Sequence, residues 1–203
     1  MREMRLMRWL RVPAAFISAN WAGLLAIVVL GLVPAAAGNQ RVMSRLDHHA
    51  DEAGTVVLRQ LRRTWWRDLP VSLGMLVYLG LGAATVALMA WVYEGPVRVY
   101  FVGMLVPVYW VVGAAIAAYV RAAATMPLTA TRTEVLSAAG HLALTYPVRA
   151  LLTVPATVLA APAYVLAPLT VACGLSLPAW VLAQIWRVHP AIRGARPAQQ
   201  GAT

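Results

Sequence analysis

The chain has 203 residues, of which 61% are apolar and only 12% charged, with a mean hydropathy of +0.69; this excludes an ordinary soluble globular domain. Seventeen basic residues oppose seven acidic ones for a net charge of +10, and every basic one is arginine, which points to a high-GC bacterial background. The arginines cluster beside apolar runs, where they orient membrane helices and meet anionic headgroups, so no nucleic-acid partner is expected.

Residues 1–11 place Arg2, Arg5, Arg8 and Arg11 at intervals of three with Leu6, Met7 and Leu10 opposite, the pattern of an amphipathic helix lying in the lipid interface. Residues 12–38 follow as an apolar segment that contains Asn20 and is broken at Pro34. The arginine-rich start and the small-residue patch at Ala35, Ala36 and Ala37 imitate a cleavable secretory signal. Because more apolar blocks follow, the segment is read instead as an uncleaved part of a membrane bundle. It either crosses once or re-enters and returns, and the re-entrant form accounts for more of the charge asymmetry.

The run of residues 47–52, DHHADE, holds metal-capable side chains. Adjacent histidines diverge and no second cluster completes a ligand set, so it is read as a solvated turn, and no metal or cofactor is expected. In residues 55–69 a helical projection puts Val57, Leu58, Leu61, Trp65, Trp66 and Leu69 on one arc and Arg59, Gln60, Arg63 and Arg67 on the other, with Arg62 inside the apolar arc. This predicts an amphipathic helix flat on the headgroups, with its indoles at the interface and Arg62 snorkelling.

Three apolar blocks come next, each long enough for a hydrocarbon core that needs about 20 helical residues. Residues 70–93 and 99–120 are one span each. Residues 147–186 suffice for two, predicted as 147–166 and 169–187 with a bend near residues 167–169. The connection 121–149 holds a helix over about 133–146, with Thr131 or Thr133 as N-cap and Glu134 in its first turn. Residues 1–188 thus form a single all-α, polytopic transmembrane domain of about five apolar segments, and residues 189–203 a disordered tail.

Charge sets the orientation. With residues 39–69, 121–149 and the C-terminus on one side, that side holds 12 arginines against five if 12–38 cross once, or 16 against one if they re-enter. The positive-inside rule makes it the cytoplasm, with the uncharged bend outside. Gly80 with Ala84 and Gly113 with Ala117 are small-xxx-small pairs that allow close helix packing. Arg59, Arg62, Arg63, Trp65, Trp66, Arg67, Glu134 and Arg149 are candidates for headgroup contact or a cytoplasmic docking surface. The spans contain no carboxylate or histidine, their arginines Arg149 and Arg187 stand at span ends, and no catalytic motif stands on the chain, so a non-enzymatic protein is expected.

The chain resembles the YesL-like family of bacterial polytopic membrane proteins, a domain of unknown function. The likeness runs from about residue 9 to 188. Asn20, Leu24, Leu25, Pro34, Ala35, Ala36 and Ala37 match its first segment, Leu58, Leu61, Arg62, Arg63, Trp66 and Arg67 its arginine-rich aromatic helix, and Ala143, Leu144, Pro147, Arg149, Leu151 and Leu152 the stretch before the fourth block. The resemblance supplies no catalytic residues. It implies a role in sugar uptake, as an accessory or regulatory subunit beside the permease or ATPase of a carbohydrate ABC importer in the bacterial inner membrane. The alternative is a small transporter or channel for a neutral solute. The oligomeric state is left open.

Overall fold

A computed structural model of the chain describes residues 2–92, 94–160, 162 and 166–187, leaving aside the side chains of residues 2–10 and 47. The side-chain stripe of residues 2–8 and the tail 189–203 lie outside what is described. Among the described residues nine α-helices carry the fold and there is no strand. They are α1 (Arg2–Val28), α2 (Leu32–Ser44), α3 (Leu46–His49), α4 (Ala53–Trp91), α5 (Gly95–Thr125), α6 (Arg132–Thr145), α7 (Pro147–Leu159), α8 (Ala167–Cys173) and α9 (Ser176–Ile185). A 3₁₀ turn, Ala50–Glu52, leads into α4. Three helices are long and apolar enough to cross a membrane, and up to five spans result if each bent pair counts as one. The chain is an all-α, polytopic membrane protein.

The first helix differs from the sequence expectation. Backbone helix runs unbroken from residue 2 to 28, so residues 2–11 and the apolar segment after them form one helix. The break comes at residues 29–31, not at Pro34. Leu30 adopts φ 58°, its N–H bonds the Ile27 carbonyl and the Gly31 N–H bonds the Ala26 carbonyl, a Schellman closure with leucine where glycine is usual. Pro34 is the third residue of α2, where a missing N–H costs nothing because that donor would be an orphan anyway. From this turn α2 runs back along α1. A Cβ on Gly23 would stand 2.6 Å from Asn39 Nδ2, and Ala15 and Ala19 share a core with Val42 and Met43.

Helix α2 is the axis of the bundle, with nine of its 13 residues buried among α1, α4, α5 and α9. The predicted interfacial helix 55–69 and span 70–93 form one 39-residue helix, α4, with Pro70 inside it. At 1.5 Å per residue it is roughly 58 Å long, about twice a hydrocarbon core. Its first half runs parallel to α1: Asp51 of the preceding 3₁₀ turn pairs with Arg11 at 3.1 Å, a Cβ on Gly54 would meet the Ser18 carbonyl, and Trp65 reaches the α1 turn. Its second half leaves the bundle with α5 and is largely exposed.

The buried face of α4 mixes the two arcs of the projection. Val57, Gln60, Thr64 and Asp68 are buried, whereas Leu58 and Trp66 are exposed, Trp66 to 76%, and Arg62 is exposed as well. The cause is close approach. A Cβ on Gly38 would lie 3.0 Å from the Val57 Cα and 3.4 Å from Gln60 Cβ, so α2 and α4 meet along their small and polar side chains. In lipid the bulky apolar residues gain nothing by facing inward, and packing sorts the faces instead.

The later segments are broken. Helix α6 meets α7 at 97° and α8 meets α9 at 63°, the second break falling at Gly174 and Leu175. Residues 167–169, where the bend was expected, form the first turn of α8 instead. Pro168 suits that first turn, as Pro147 suits the start of α7.

Candidate functional site

Several polar side chains inside the bundle serve backbone groups that a helix end or a proline has left without a partner, a need that a hydrocarbon surrounding sharpens. Asn20, fully buried, is the densest example. Its Nδ2 donates to the Thr170 and Val171 carbonyls at 2.9 Å each, and its Oδ1 accepts from the Leu175 N–H at 2.7 Å, bridging the α8–α9 break. Ser176, just beyond, donates to the Phe16 carbonyl at 2.7 Å. The Ser72 hydroxyl accepts the Val33 N–H at 3.2 Å, a cap for α2 supplied by α4. Trp65 Nε1 donates to the Val29 carbonyl at 2.9 Å and closes the end of α1.

Prolines are served in the same way. Pro70 has no N–H for the Trp66 carbonyl, and Arg132 of α6 takes that oxygen at 3.4 Å together with the Arg67 carbonyl at 2.9 Å. Pro155 frees the Leu151 carbonyl, which Trp110 Nε1 takes at 2.8 Å.

The most charged part of this system lies where α2, α4 and α5 converge. Arg41 caps α5, donating to the carbonyls of Ala124 at 2.9 Å, Ala123 at 3.3 Å and Met126 at 2.6 Å. Burial, followed by the nearby Arg45 and Arg67 charges, pulls its guanidinium below the ordinary value. One turn away, Arg67 grips Asp68 through two bonds of 2.7 and 2.9 Å, and the Tyr119 hydroxyl donates to Asp68 at 2.8 Å. Asp68 is completely buried. Sequence reasoning missed it, because beside an arginine at the edge of an apolar block it reads as a solvated pair.

The remaining expected residues separate. Arg59, Arg62, Arg63 and Trp66 stand exposed on the first half of α4. Thr131 and Glu134 form a reciprocal capping box at the start of α6. The Thr131 amide, then its hydroxyl, holds the Glu134 carboxyl below the ordinary range. That contribution is present above the ordinary carboxylate value and is lost as pH falls through the lowered one. The Arg149 guanidinium sits 5.1 Å from the Tyr146 ring centre. Among the described residues no three His, Cys, Asp or Glu side chains come together.

The two small-residue pairs behave differently. A Cβ on Gly113 would lie 2.8 Å from the Tyr78 hydroxyl and 3.1 Å from Val154 Cγ2, and Ala117 is partly covered beside it. Nothing lies within 4 Å of a Cβ on Gly80, and Ala84 is exposed. Gly113→Ala is therefore expected to displace Tyr78 from the Tyr109 carbonyl and lose about 1–3 kcal/mol to overpacking. Gly80→Ala should gain up to ~1 kcal/mol of helix propensity. Unfolding midpoints in detergent check this, and equal shifts for the two variants would contradict the assigned packing.

The architecture and these sites define the class: an integral membrane protein of several helical spans. Compared with protein-family models, curated proteins and solved structures, the chain matches none.

Proposed function

We propose that the protein is a non-enzymatic accessory or regulatory subunit of a carbohydrate ABC importer in a bacterial inner membrane, with residues 39–69, 121–149 and the C-terminus in the cytoplasm. The observation that carries the accessory role is the free half of the α4–α5 hairpin. Gly80 and Ala84 lie there on an uncovered helix face, flanked by Val77, Leu81 and Leu88, which are 60%, 58% and 47% exposed. Small residues on an open face let a second helix approach closely in lipid, so this ridge suits a span of a partner permease. The resemblance to the YesL-like family supplies the carbohydrate importer as partner. The arginine-bearing half of α4 and the capped helix α6 add a polar docking face.

A tagged copy solubilised from native membranes in mild detergent should retain an importer permease or ATPase, and Gly80→Ile with Ala84→Ile should release it without unfolding the chain. Recovery of neither subunit would contradict the proposal. Orientation is tested by single cysteines at exposed positions: Arg59→Cys should label only from the cytoplasm and Gly95→Cys only from outside.

One observation favours a pore as the second reading. A cavity of about 360 Å³ lies between α4 and α5, lined by Gly82, Met89, Arg98, Leu105 and Tyr109, with Thr85 and Tyr109 hydroxyls 3.2 Å apart. Solute flux in liposomes holding only this protein would establish that reading in place of the accessory one.

A further inference from the structure

Three buried side-chain N–H groups among the described residues have no acceptor: Arg121 Nη1, Arg149 Nη1 and Trp186 Nε1. They border one cluster, that of Ala114, Ala150 and Trp186 with Tyr146 packed against it. Arg121 lies near the end of α5 and reaches the Trp186 carbonyl through Nη2 at 3.5 Å. Trp186, 1% exposed, follows α9 and packs in one cluster with Ala114 of α5 and Ala150 of α7. Arg149 occupies the first turn of α7, over the Tyr146 ring that borders the same cluster.

The junction is positive and uncompensated. The ion pairs found among the described residues, Arg11 with Asp51 and Arg67 with Asp68, are elsewhere. Helix α7 begins here without a side-chain cap, and its dipole adds positive potential. A buried donor left unmade is costly, and three together define a complement made only of acceptors. Guanidinium forks match the oxygens of phosphate, and an indole N–H adds a directional donor. All three residues stand at ends of the apolar blocks, the depth at which headgroup phosphates lie.

We propose that the junction of α5, α7 and α9 binds a phosphate oxyanion through Arg121, Arg149 and Trp186. The phosphate belongs to an anionic lipid headgroup or to a free phosphate, which share this chemistry. The site stands apart from the importer reading and does not depend on it.

Delipidated protein in detergent is melted with added phosphatidylglycerol, with inorganic phosphate, or with diacylglycerol, which has the tails without the phosphate. A phosphate-bearing probe should raise the midpoint and diacylglycerol should not. Stabilisation by inorganic phosphate identifies a free-phosphate site, and stabilisation by phosphatidylglycerol alone a headgroup site. Arg121→Gln with Arg149→Gln should weaken the response at least tenfold in concentration, and Trp186→Phe several-fold with its ligand-free midpoint unchanged. Arg11→Gln, whose guanidinium is paired with Asp51 outside the site, should respond as the wild type does. The proposal is overturned if neither phosphate probe stabilises, if diacylglycerol does as well, or if the double variant responds like the wild type. Should the double variant fail to fold, an undiminished response from Trp186→Phe overturns it equally.

Discussion

Asp68→Ala is expected to lower the unfolding free energy by about 3–5 kcal/mol, the cost of leaving one member of a buried ion pair without its partner. The Arg67 and Asp68 side chains are 9% and 0% exposed, so little solvent screens the charge that would remain. The Tyr119 hydroxyl would lose its acceptor in the same step. Asp68→Asn should cost less, since it keeps an oxygen for Tyr119. Replacing Arg67 and Asp68 together by leucine should recover much of the loss, because a buried pair and an apolar pair of similar volume are close in free energy. Unfolding of the purified protein in mixed micelles by added SDS, followed by far-ultraviolet circular dichroism, reads all three variants. A loss under ~0.5 kcal/mol for Asp68→Ala would mean that Asp68 faces water.

Asn20→Leu is expected to cost about 3 kcal/mol, since an unpaired buried amide is worth ~1–3 kcal/mol and this side chain serves three backbone groups. Single interhelical hydrogen bonds in membranes average only about 0.6 kcal/mol. The Leu175 N–H differs because the α8–α9 break removes its helical alternative. Asn20→Asp keeps the acceptor but loses both donors and buries a charge, so it should be worse than leucine. Amide exchange at Leu175 is the specific readout. Protection in the wild type and fast exchange in Asn20→Leu are expected, and equal protection in both would contradict the bridge.

The membrane class was legible because it rests on uncharged length alone, which no detail of packing can reverse. The helix breaks were less so. Pro34 looked like the end of the first segment, yet proline is harmless in a first turn, and the real turn hides at Leu30, whose left-handed backbone leaves no mark in composition. In residues 55–69 the projection parted Val57 from Gln60, yet both lie on the buried face, so polarity does not sort that face. In lipid, Gly38 against Val57 and Gln60 decides instead.

Gly80 and Gly113 are equivalent in the sequence and opposite in the structure, since a spacing motif says nothing about which helix stands across from it. Asn20 was visible as the amide inside the first apolar segment. The groups it serves lie some 150 residues away, a pairing that only the fold creates. Arg132 and Trp110, which answer Pro70 and Pro155, were missed for the same reason.

Single cysteines in a Cys173→Ser background test the account most directly. Val77, Val86 and Val106 on the free α4–α5 hairpin are 60%, 69% and 49% exposed to their surroundings, as are the side chains of Arg59 and Arg63 on the first half of α4. In proteoliposomes opened to a water-soluble maleimide on both sides, Arg59→Cys and Arg63→Cys should react while the three valine positions stay silent until the chain is unfolded. Labelling of Val86→Cys as fast as Arg59→Cys would place that hairpin in water and contradict the membrane reading.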